Sequence, residues 1–407
     1  MSSVQDLFDR GLKVHDVDTH VTEPPDLWVS RVSRKWGDLI PHVVKDPKTG
    51  YEALFTGDNE LIGVACQAAA GWKDFYPSFP PTLADAIPAA WQPKPRLEWM
   101  DEYGIYSQII YPNILGFLKP EIMRLDDQLK LELVQAYNDF QTEFCSVAPN
   151  RLIALTYLPW WNVDQSLVEL QRCADSGHRG VILPWEFDRA GLPPLHSDHW
   201  TRLLGAIQEC DQPISFHIGF SNKSSEEVPI IRVQDEDLGA SIARIGQTLL
   251  GNSNAISEVI LGGICHRFPT LKFVSVESGV GFIPYFLDGL DWTLGHFEQP
   301  ADFRERLSPS EYFRRQVYGT FWFEEGVGRV ADYYPENFMF ETDFPHSTSL
   351  SPGPNSPAKP PREVLIKHLD GLPEDLIINL VQNNAARLYR LEPFRDLAPS
   401  GSSTAEK

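Results

Sequence analysis

The sequence predicts an α/β protein that folds as a (β/α)8 barrel, or TIM barrel, and three observations lead to this fold class. Eight short runs of β-branched and aromatic residues recur along the chain, and helical patterns separate most of them. The runs are apolar at consecutive positions, which is typical of strands in a parallel sheet that is covered on both faces. A length of 407 residues suits one barrel of this kind with insertions.

Strands and helices are predicted in alternation. The predicted strands are residues 14–18, 107–111, 152–157, 180–183, 213–217, 272–277, 317–321 and 337–342. Apolar residues one helical turn apart mark the helices between them, with Asp127 as the expected N-cap of one and Asp164 as that of another. Further helices are predicted at residues 198–210, 283–297, 324–334 and 373–388, and the last of these is a C-terminal helical segment.

Residues 1–398 are predicted to form a single domain, because the barrel pattern extends over almost this whole range. Residues 41–95 follow the first strand, are rich in proline and aromatic residues, and do not continue the repeat. We expect them to be an insertion that covers the barrel mouth as a lid, with an independent small domain as the alternative. Residues 399–407 are polar and are predicted to be a disordered tail.

The charge balance excludes two classes of partner. The chain has 35 Lys and Arg residues against 56 Asp and Glu residues, a formal net charge of −21, which repels phosphate backbones and anionic lipid. We therefore expect no nucleic-acid partner and no membrane partner, and no apolar run is long enough to span a bilayer. The first residues lack the pattern of a secretory signal and the five cysteines are dispersed, so we expect a cytoplasmic protein.

Polar residues lie where several of the predicted strands end. In a barrel of this type the carboxyl ends of the strands meet at one mouth, where the chemistry takes place. Asp16, Asp18 and His20 share one face of the first strand because side chains alternate along a strand. The fifth strand ends in His217, and Asp343 follows the eighth. Each residue alone has an ordinary explanation, since a strand-end histidine is often structural and a strand-end aspartate often caps a helix.

Together these four residues predict a metal site. Unpaired charges are costly to bury, so two carboxylates and two imidazoles at one mouth favour a bound cation. This set suits Zn²⁺, Mn²⁺ or Fe²⁺ better than Ca²⁺ or Mg²⁺, which prefer oxygen ligands. We expect one divalent metal ion, with Zn²⁺ as the first choice, bound by Asp18, His20, His217 and Asp343.

The chain resembles the amidohydrolase-related proteins of the aminocarboxymuconate-semialdehyde decarboxylase type in five segments, which lie between about residues 14 and 389. The segments are DVDTHVTEPPDLW, GVILP, SFHIG, RFPTLKFVSVESGVGFIPYFL and ETDFPH. The resemblance implies a metal-dependent barrel enzyme of the amidohydrolase superfamily, with its ligand positions at Asp18, His20, His217 and Asp343. The first position is usually His or Glu in the family, so Asp18 is a departure that keeps a ligating carboxylate. Relatives often form dimers, so the resemblance also implies a homodimer.

The resemblance also indicates candidates for proton transfer. Decarboxylases of the family carry a histidine after the sixth strand, where this sequence has Glu277, so Glu277 is either a catalytic acid or base or a further metal ligand. Asp343, and His346 three residues beyond it, are the other candidates for a catalytic acid or base. Glu23, just beyond His20, is expected either to orient a ligand histidine or to form a plain salt bridge.

These residues support two enzymatic interpretations and a third without catalysis. The first is a non-oxidative decarboxylase, a C–C lyase of an aromatic or unsaturated carboxylic acid, in which a nearby acid protonates the carbon that loses CO₂. The second is a hydrolase of an amide, lactone or activated C–C bond that uses a metal-activated water. The third is a barrel that only binds a ligand, and the retained ligand residues argue against it.

Aromatic residues after several predicted strands indicate a flat, apolar small-molecule substrate. An equally good explanation is that they pack the loops against one another. These residues are Trp160, Trp161, Trp185, Phe187, Phe220, Phe282, Trp322 and Phe323.

Overall fold

The protein is an α/β structure in which parallel strands alternate with helices. The computed structural model describes residues 3–113, 120–219 and 238–391. The strands are β1 (Val14–Val21), β2 (His42–Lys45), β3 (Glu52–Thr56), β4 (Asn59–Gly63), β5 (Ile105–Pro112), β6 (Leu152–Ala154), β7 (Thr156–Tyr157), β8 (Val181–Ile182), β9 (Ile214–His217), β10 (Phe273–Val276), β11 (Val317–Phe321) and β12 (Phe338–Phe340). Each of the eight predicted runs contains an observed strand, and the third run is broken at Leu155 into β6 and β7.

The parallel strands close into a barrel. One sheet has the order β1-β5-β6 and another the order β12-β11-β10-β9-β8-β7, and β6 and β7 are separated by one residue. At the remaining seam, the Asp343 N–H donates to the Asp18 carbonyl at 3.0 Å and the His20 N–H donates to the Phe344 carbonyl at 2.6 Å. The chain therefore forms the eight-stranded α/β barrel that the sequence predicts.

Helices follow the strands and pack against them. The α-helices are Val4–Asp9, Leu27–Arg31, Pro93–Tyr103, Pro120–Met123, Asp127–Ser146, Val163–Asp175, Thr201–Glu209, Leu238–Thr248, Asn252–Leu261, Ile264–Arg267, Ile283–Leu294, Ala301–Arg304, Pro309–Gln316, Val327–Val330, Pro361–Leu369, Glu374–Ile378 and Asn384–Leu388. The side chains of Asp126 and Asn162 cap two of them, so the predicted caps Asp127 and Asp164 lie one and two residues too far along the chain. Among the described residues, no helix is both long and apolar enough to cross a membrane.

The region after β1 departs from the barrel repeat. Its strands β2, β3 and β4 form a small antiparallel sheet of their own. Two backbone hydrogen bonds tie the region to loops at the mouth: the Ala70 N–H donates to Pro345 at 2.8 Å, and the Thr22 N–H donates to Ala90 at 3.0 Å. The predicted tail, residues 399–407, lies outside the described residues.

Candidate metal centre

The barrel mouth brings the four predicted ligands together. Asp18 and His20 lie on β1, His217 is the last residue of β9, and Asp343 follows β12. All four side chains are completely buried. Residues from the first and last strands of the barrel therefore meet at one centre, because the seam places β1 beside β12.

The two histidines face each other through the same ring nitrogen. His20 Nδ1–H donates to the Pro112 carbonyl at 3.0 Å, and His217 Nδ1–H donates to the Ile218 carbonyl at 2.6 Å. Because a carbonyl oxygen only accepts, the Nε2 atoms of both neutral rings carry lone pairs. These two Nε2 atoms lie 3.0 Å apart. Two acceptors at this distance need a cation or a proton between them.

The carboxylates of Asp18 and Asp343 lie close to these rings. Asp18 Oδ1 is 3.5 Å from Nε2 of both His20 and His217, and Asp343 Oδ1 is 3.8 Å from His20 Nε2. Both Asp18 oxygens are buried and accept no hydrogen bond from the described residues. Buried carboxylate oxygens without donors are costly, so these donor atoms fit a divalent cation.

Protonation of His217 offers a partial substitute for that cation. Burial opposes a charged imidazole, but the neighbouring carboxylates of Asp18 and Glu277 raise the pKa of His217 to about 9. The direction of this shift shows how strongly the centre attracts positive charge.

Two carboxylates reach the centre from strained backbone. Glu277 and Asp343 have φ angles of 56° and 59°, in the left-handed region that residues with a Cβ atom seldom adopt. Glu277 directly follows β10, its Oε2 lies 3.6 Å from His217 Nε2, and its side chain is 14% exposed. Burial first, and then the charge of Asp343, raises the pKa of Glu277 well above its ordinary value. The strained backbone conformations at the ends of β10 and β12 therefore belong to the two residues that carry these carboxylates.

His346 lies beside the centre and reaches it through Asp343. His346 Nδ1 is 2.7 Å from Asp343 Oδ1, and its ring stacks on His20 with centroids 4.0 Å apart. On the other side, His346 Nε2 lies 2.9 Å from Asn113 Oδ1. His346 can therefore exchange a proton with Asp343. His20, Asp343 and His346 also lie close enough together to be ligands of one metal ion.

Glu23 does not orient the His20 ring, which is one of its two expected roles. Its Oε1 accepts a hydrogen bond from the Asn113 N–H at 3.0 Å. The carbonyl of Pro112 occupies the Nδ1 side of His20 instead. A backbone carbonyl, and not Glu23, therefore orients this ring.

Sequence reasoning missed one buried carboxylate below the centre. Glu341 is fully buried on the same side of its segment as Asp343, and its Oε2 accepts a hydrogen bond from the Glu277 N–H at 3.3 Å. Burial, followed by the charge of Asp18, raises the pKa of Glu341 well above its ordinary value. The alternation that pointed to the first strand could also have found Glu341, two residues before Asp343.

Asp16, which alternation places on the same strand face as Asp18 and His20, is a second buried carboxylate below the centre, and it has donors. It accepts hydrogen bonds from the N–H and hydroxyl of Thr342 at 2.8 and 2.6 Å and from Gln108 Nε2 at 3.0 Å. Burial nevertheless raises the pKa of Asp16 to about 7. Asp16 therefore ties β1 to the segment that carries Asp343.

Arg96 is a buried cation that anchors the ligand strands, and no pattern in the sequence marks it. Arg96 Nη2 donates to the His20 carbonyl at 2.5 Å, and Nε donates to the Ala89 carbonyl at 2.6 Å. Its Nη1 donates to Gln108 Oε1 at 3.1 Å, and its guanidinium lies 4.5 Å from the centre of the Phe344 ring. Burial lowers the pKa of Arg96 to about 9. Arg96 thus touches the predicted ligand His20 on β1 and the residue next to the predicted ligand Asp343, after β12.

Several of the aromatic residues predicted to line the mouth are core residues. Trp160, Phe187 and Trp322 are no more than 2% exposed. The Phe187 ring contacts the rings of Trp160 and Trp200 at centroid distances of 5.5 and 4.1 Å. Phe220 lies outside the described residues. Packing of the loops is therefore the correct explanation for these three side chains.

The family model for amidohydrolases matches residues 16–391, which is nearly the whole chain and includes every residue of the centre. The chain belongs to the amidohydrolase family. A member with this fold has the barrel mouth as its site of chemistry, which is where the buried ligand set lies.

Individual relatives are distant in sequence. The gamma-resorcylate decarboxylase of Rhizobium sp. (strain MTP-10005) is 24% identical over 259 residues, which cover 61% of this chain and 76% of the relative. The crystal structure of an amidohydrolase from Mycobacterium avium subsp. paratuberculosis K-10 superposes with a TM-score of 0.72 at 19% identity, over 93% of this chain and 99% of that one. A 5-carboxyvanillate decarboxylase mutant from Novosphingobium aromaticivorans DSM 12444, solved with bound manganese, gives 0.60 at 16% identity, over 94% and 98%. These structures share the fold.

Proposed function

We propose that this protein is a metal-dependent decarboxylase of an aromatic or unsaturated carboxylic acid. One observation carries the proposal: Asp18, His20, His217 and Asp343 meet in a buried cluster in which neither Asp18 oxygen has a hydrogen-bond donor among the described residues. The similarity to gamma-resorcylate decarboxylase supports the reaction class. A divalent ion held by these four residues would supply a Lewis acid for the carboxylate and an adjacent oxygen of the substrate.

Loss of CO₂ from a carboxylate must be balanced by one proton delivered to the carbon that bore it. Asp343 is a candidate to carry that proton, because its Oδ1 belongs to the centre and lies beside the His346 ring. His346, 2.7 Å away, is placed to resupply it. Glu277 is the third candidate, since its carboxylate is partly exposed and lies 3.6 Å from His217 Nε2.

The insertion has a place in this proposal as the lid over the mouth. The Ala70 N–H donates a hydrogen bond to the carbonyl of Pro345, which lies between Asp343 and His346 in the sequence. A cavity of about 540 Å³ lies between the insertion and the loop after Asp343 and is lined in part by Trp72, Phe75, Tyr76, Ser347 and Ser351. This volume is in the range of small-molecule pockets, so we propose that the apolar part of the acid enters here.

The remaining parts of the proposal follow from charge and resemblance. The net charge of −21 supports a protein without nucleic-acid or membrane partners, and five dispersed free cysteines suit a reducing cytoplasm. The family resemblance supports a homodimer. Zinc, manganese and iron all suit the four ligands, so the expected preference for Zn²⁺ is decided by metal analysis of protein purified without added metal.

The experiment is turnover in D₂O with a panel of hydroxylated benzoic acids, including 2,6-dihydroxybenzoate and 5-carboxyvanillate. We expect CO₂ release and one deuterium at the carbon that carried the carboxylate, both abolished in His217→Ala together with bound metal. Turnover of an aryl ester or lactone without CO₂ release from any acid would instead establish the hydrolase alternative. A metal-free protein with no turnover after loading with Zn²⁺ or Mn²⁺ would refute both enzymatic functions.

A further inference from the structure

Glu277 is the one carboxylate of the cluster whose role the family resemblance leaves open. We infer that Glu277 is a fifth protein ligand of the metal, and that it strengthens the binding of Mn²⁺ more than that of Zn²⁺. The inference rests on the proposed metal centre, but it does not depend on which reaction the centre catalyses.

The positions of the donor atoms support a single shared ion. Glu277 Oε2 is 3.6 Å from His217 Nε2, and carboxylate oxygens of Asp18, Glu277 and Asp343 all lie within 4.8 Å of one another. His217 Nε2 is also 3.5 Å from Asp18 Oδ1. Ligands at about 2.1 Å from one ion lie at most ~4.2 Å apart, so this spacing suits a common ion with only small adjustments.

The surroundings of Glu277 give its carboxylate no other partner among the described residues. The backbone N–H of Glu277 is held by Thr320 Oγ1 at 3.1 Å and by Glu341 Oε2 at 3.3 Å. Its left-handed φ of 56° is a strained conformation for a residue with a side chain. The backbone is therefore fixed, while the carboxylate points to His217 and to two further carboxylates.

Glu324, on the neighbouring loop, shows how the fold treats a structural carboxylate. It is also partly buried, but Oε1 accepts hydrogen bonds from the N–H groups of Val280 and Gly281 at 2.7 and 3.3 Å. Its Oε2 accepts a third from the Trp322 N–H at 3.2 Å. Glu324 accepts hydrogen bonds from Val280 and Gly281, which lie only three and four positions after Glu277. Its carboxylate is therefore satisfied by backbone donors, whereas the carboxylate of Glu277 faces the predicted metal ligands.

A fifth ligand changes which ions the centre prefers. Three carboxylates and two imidazoles form an oxygen-rich set, and oxygen ligands with high coordination numbers suit Mn²⁺. Zn²⁺ in proteins is mostly bound by four ligands with nitrogen or sulfur prominent among them. Removing the Glu277 carboxylate should therefore weaken Mn²⁺ binding more than Zn²⁺ binding.

The test compares the wild-type protein with Glu277→Gln and with Glu324→Gln as the matched control. Free Mn²⁺ is titrated by its solution EPR signal, and Zn²⁺ affinity is measured by competition with a chelating dye. For Glu277→Gln we expect the Kd for Mn²⁺ to rise at least about tenfold, with a smaller rise for Zn²⁺ and an altered EPR spectrum of the bound Mn²⁺. Glu324→Gln perturbs the loop that follows Glu277, through Val280 and Gly281, and should leave the Kd values for Mn²⁺ and Zn²⁺ within twofold of wild type.

Three outcomes decide the matter. A Kd for Mn²⁺ within twofold of wild type in Glu277→Gln, with turnover lost, would overturn the inference and identify Glu277 as a proton-transfer group. Weakened Mn²⁺ binding without CO₂ release by the wild type would sustain the inference and refute the proposed reaction. A wild type that binds no metal would refute both. Glu277→His keeps a ligating atom and should restore Zn²⁺ binding more than Mn²⁺ binding. Urea unfolding of each metal-free variant shows whether that variant is folded.

Discussion

Replacing Arg96 with methionine should damage the metal centre without touching a metal ligand. The change removes the donors to the His20 and Ala89 carbonyls, at 2.5 and 2.6 Å, and the donor to Gln108 at 3.1 Å. It also removes the guanidinium beside the Phe344 ring. A methionine of similar length fills the space but satisfies none of these acceptors.

The size of the effect follows from the acceptors left behind. Each buried carbonyl that loses its donor costs about 1–3 kcal/mol, so the two short bonds of Arg96 predict a loss of about 4 kcal/mol in the free energy of unfolding. Removing the support of a metal ligand typically weakens metal binding about 10- to 100-fold. We expect both effects in Arg96→Met, because one of the released carbonyls belongs to His20 itself.

The assay pairs urea unfolding of the metal-free protein with a Mn²⁺ titration, and Arg151→Met is the control. Arg151 also donates to two backbone carbonyls, those of Ile105 and Tyr106 at 3.1 and 2.9 Å, but at the first residues of β5, far along that strand from the mouth. The control should lose stability and keep its Kd. If Arg96→Met loses stability while its Kd for Mn²⁺ stays within twofold of wild type, Arg96 does not position the centre and the reasoning fails.

Three further predictions concern metal, pH and proton transfer. Chelation of the metal should lower the midpoint of thermal unfolding, because an ion present at 1,000 times its Kd stabilises the folded state by about 4 kcal/mol. An unchanged midpoint would show that the ion does not stabilise the fold. Burial lowers the pKa of His178 to about 4, so as the pH falls the unfolded chain takes up a proton before the folded protein does. The free energy of unfolding should therefore decrease by up to about 3 kcal/mol between about pH 6.5 and pH 4. Urea unfolding of His178→Gln should show a smaller decrease over this pH range. His346→Gln should lower kcat while metal content by mass spectrometry stays near wild type, and a parallel loss of metal would make His346 a ligand instead.

The sequence was informative wherever a local rule determines the position of a side chain. Alternation along a strand places Asp18 and His20 on one face, and the barrel rule places His217 at the same mouth. The same rules were sufficient to find Glu341, whose place two residues before Asp343 repeats the pattern. Strand breaks such as Leu155 have no comparable local cause.

What escaped prediction depends on groups that only the folded chain brings together. Arg96 is important through backbone carbonyls from two distant segments, and a carbonyl has no signature in a sequence. The same holds for the Pro112 carbonyl that replaces Glu23 at the His20 ring. Aromatic residues after strands failed as pocket markers for a related reason, since Trp160 and Trp322 find enough apolar neighbours to be buried.

The seam between β1 and β12 has a consequence for how the protein is made. Two of its backbone hydrogen bonds involve residues of the centre, and Asp16 bonds across it to Thr342, 326 positions away. Contacts of such high sequence separation form slowly and late. A nascent chain therefore lacks the complete four-residue centre until the segment after β12 has been synthesised and has joined β1, so binding of the ion by all four residues reports closure of the barrel.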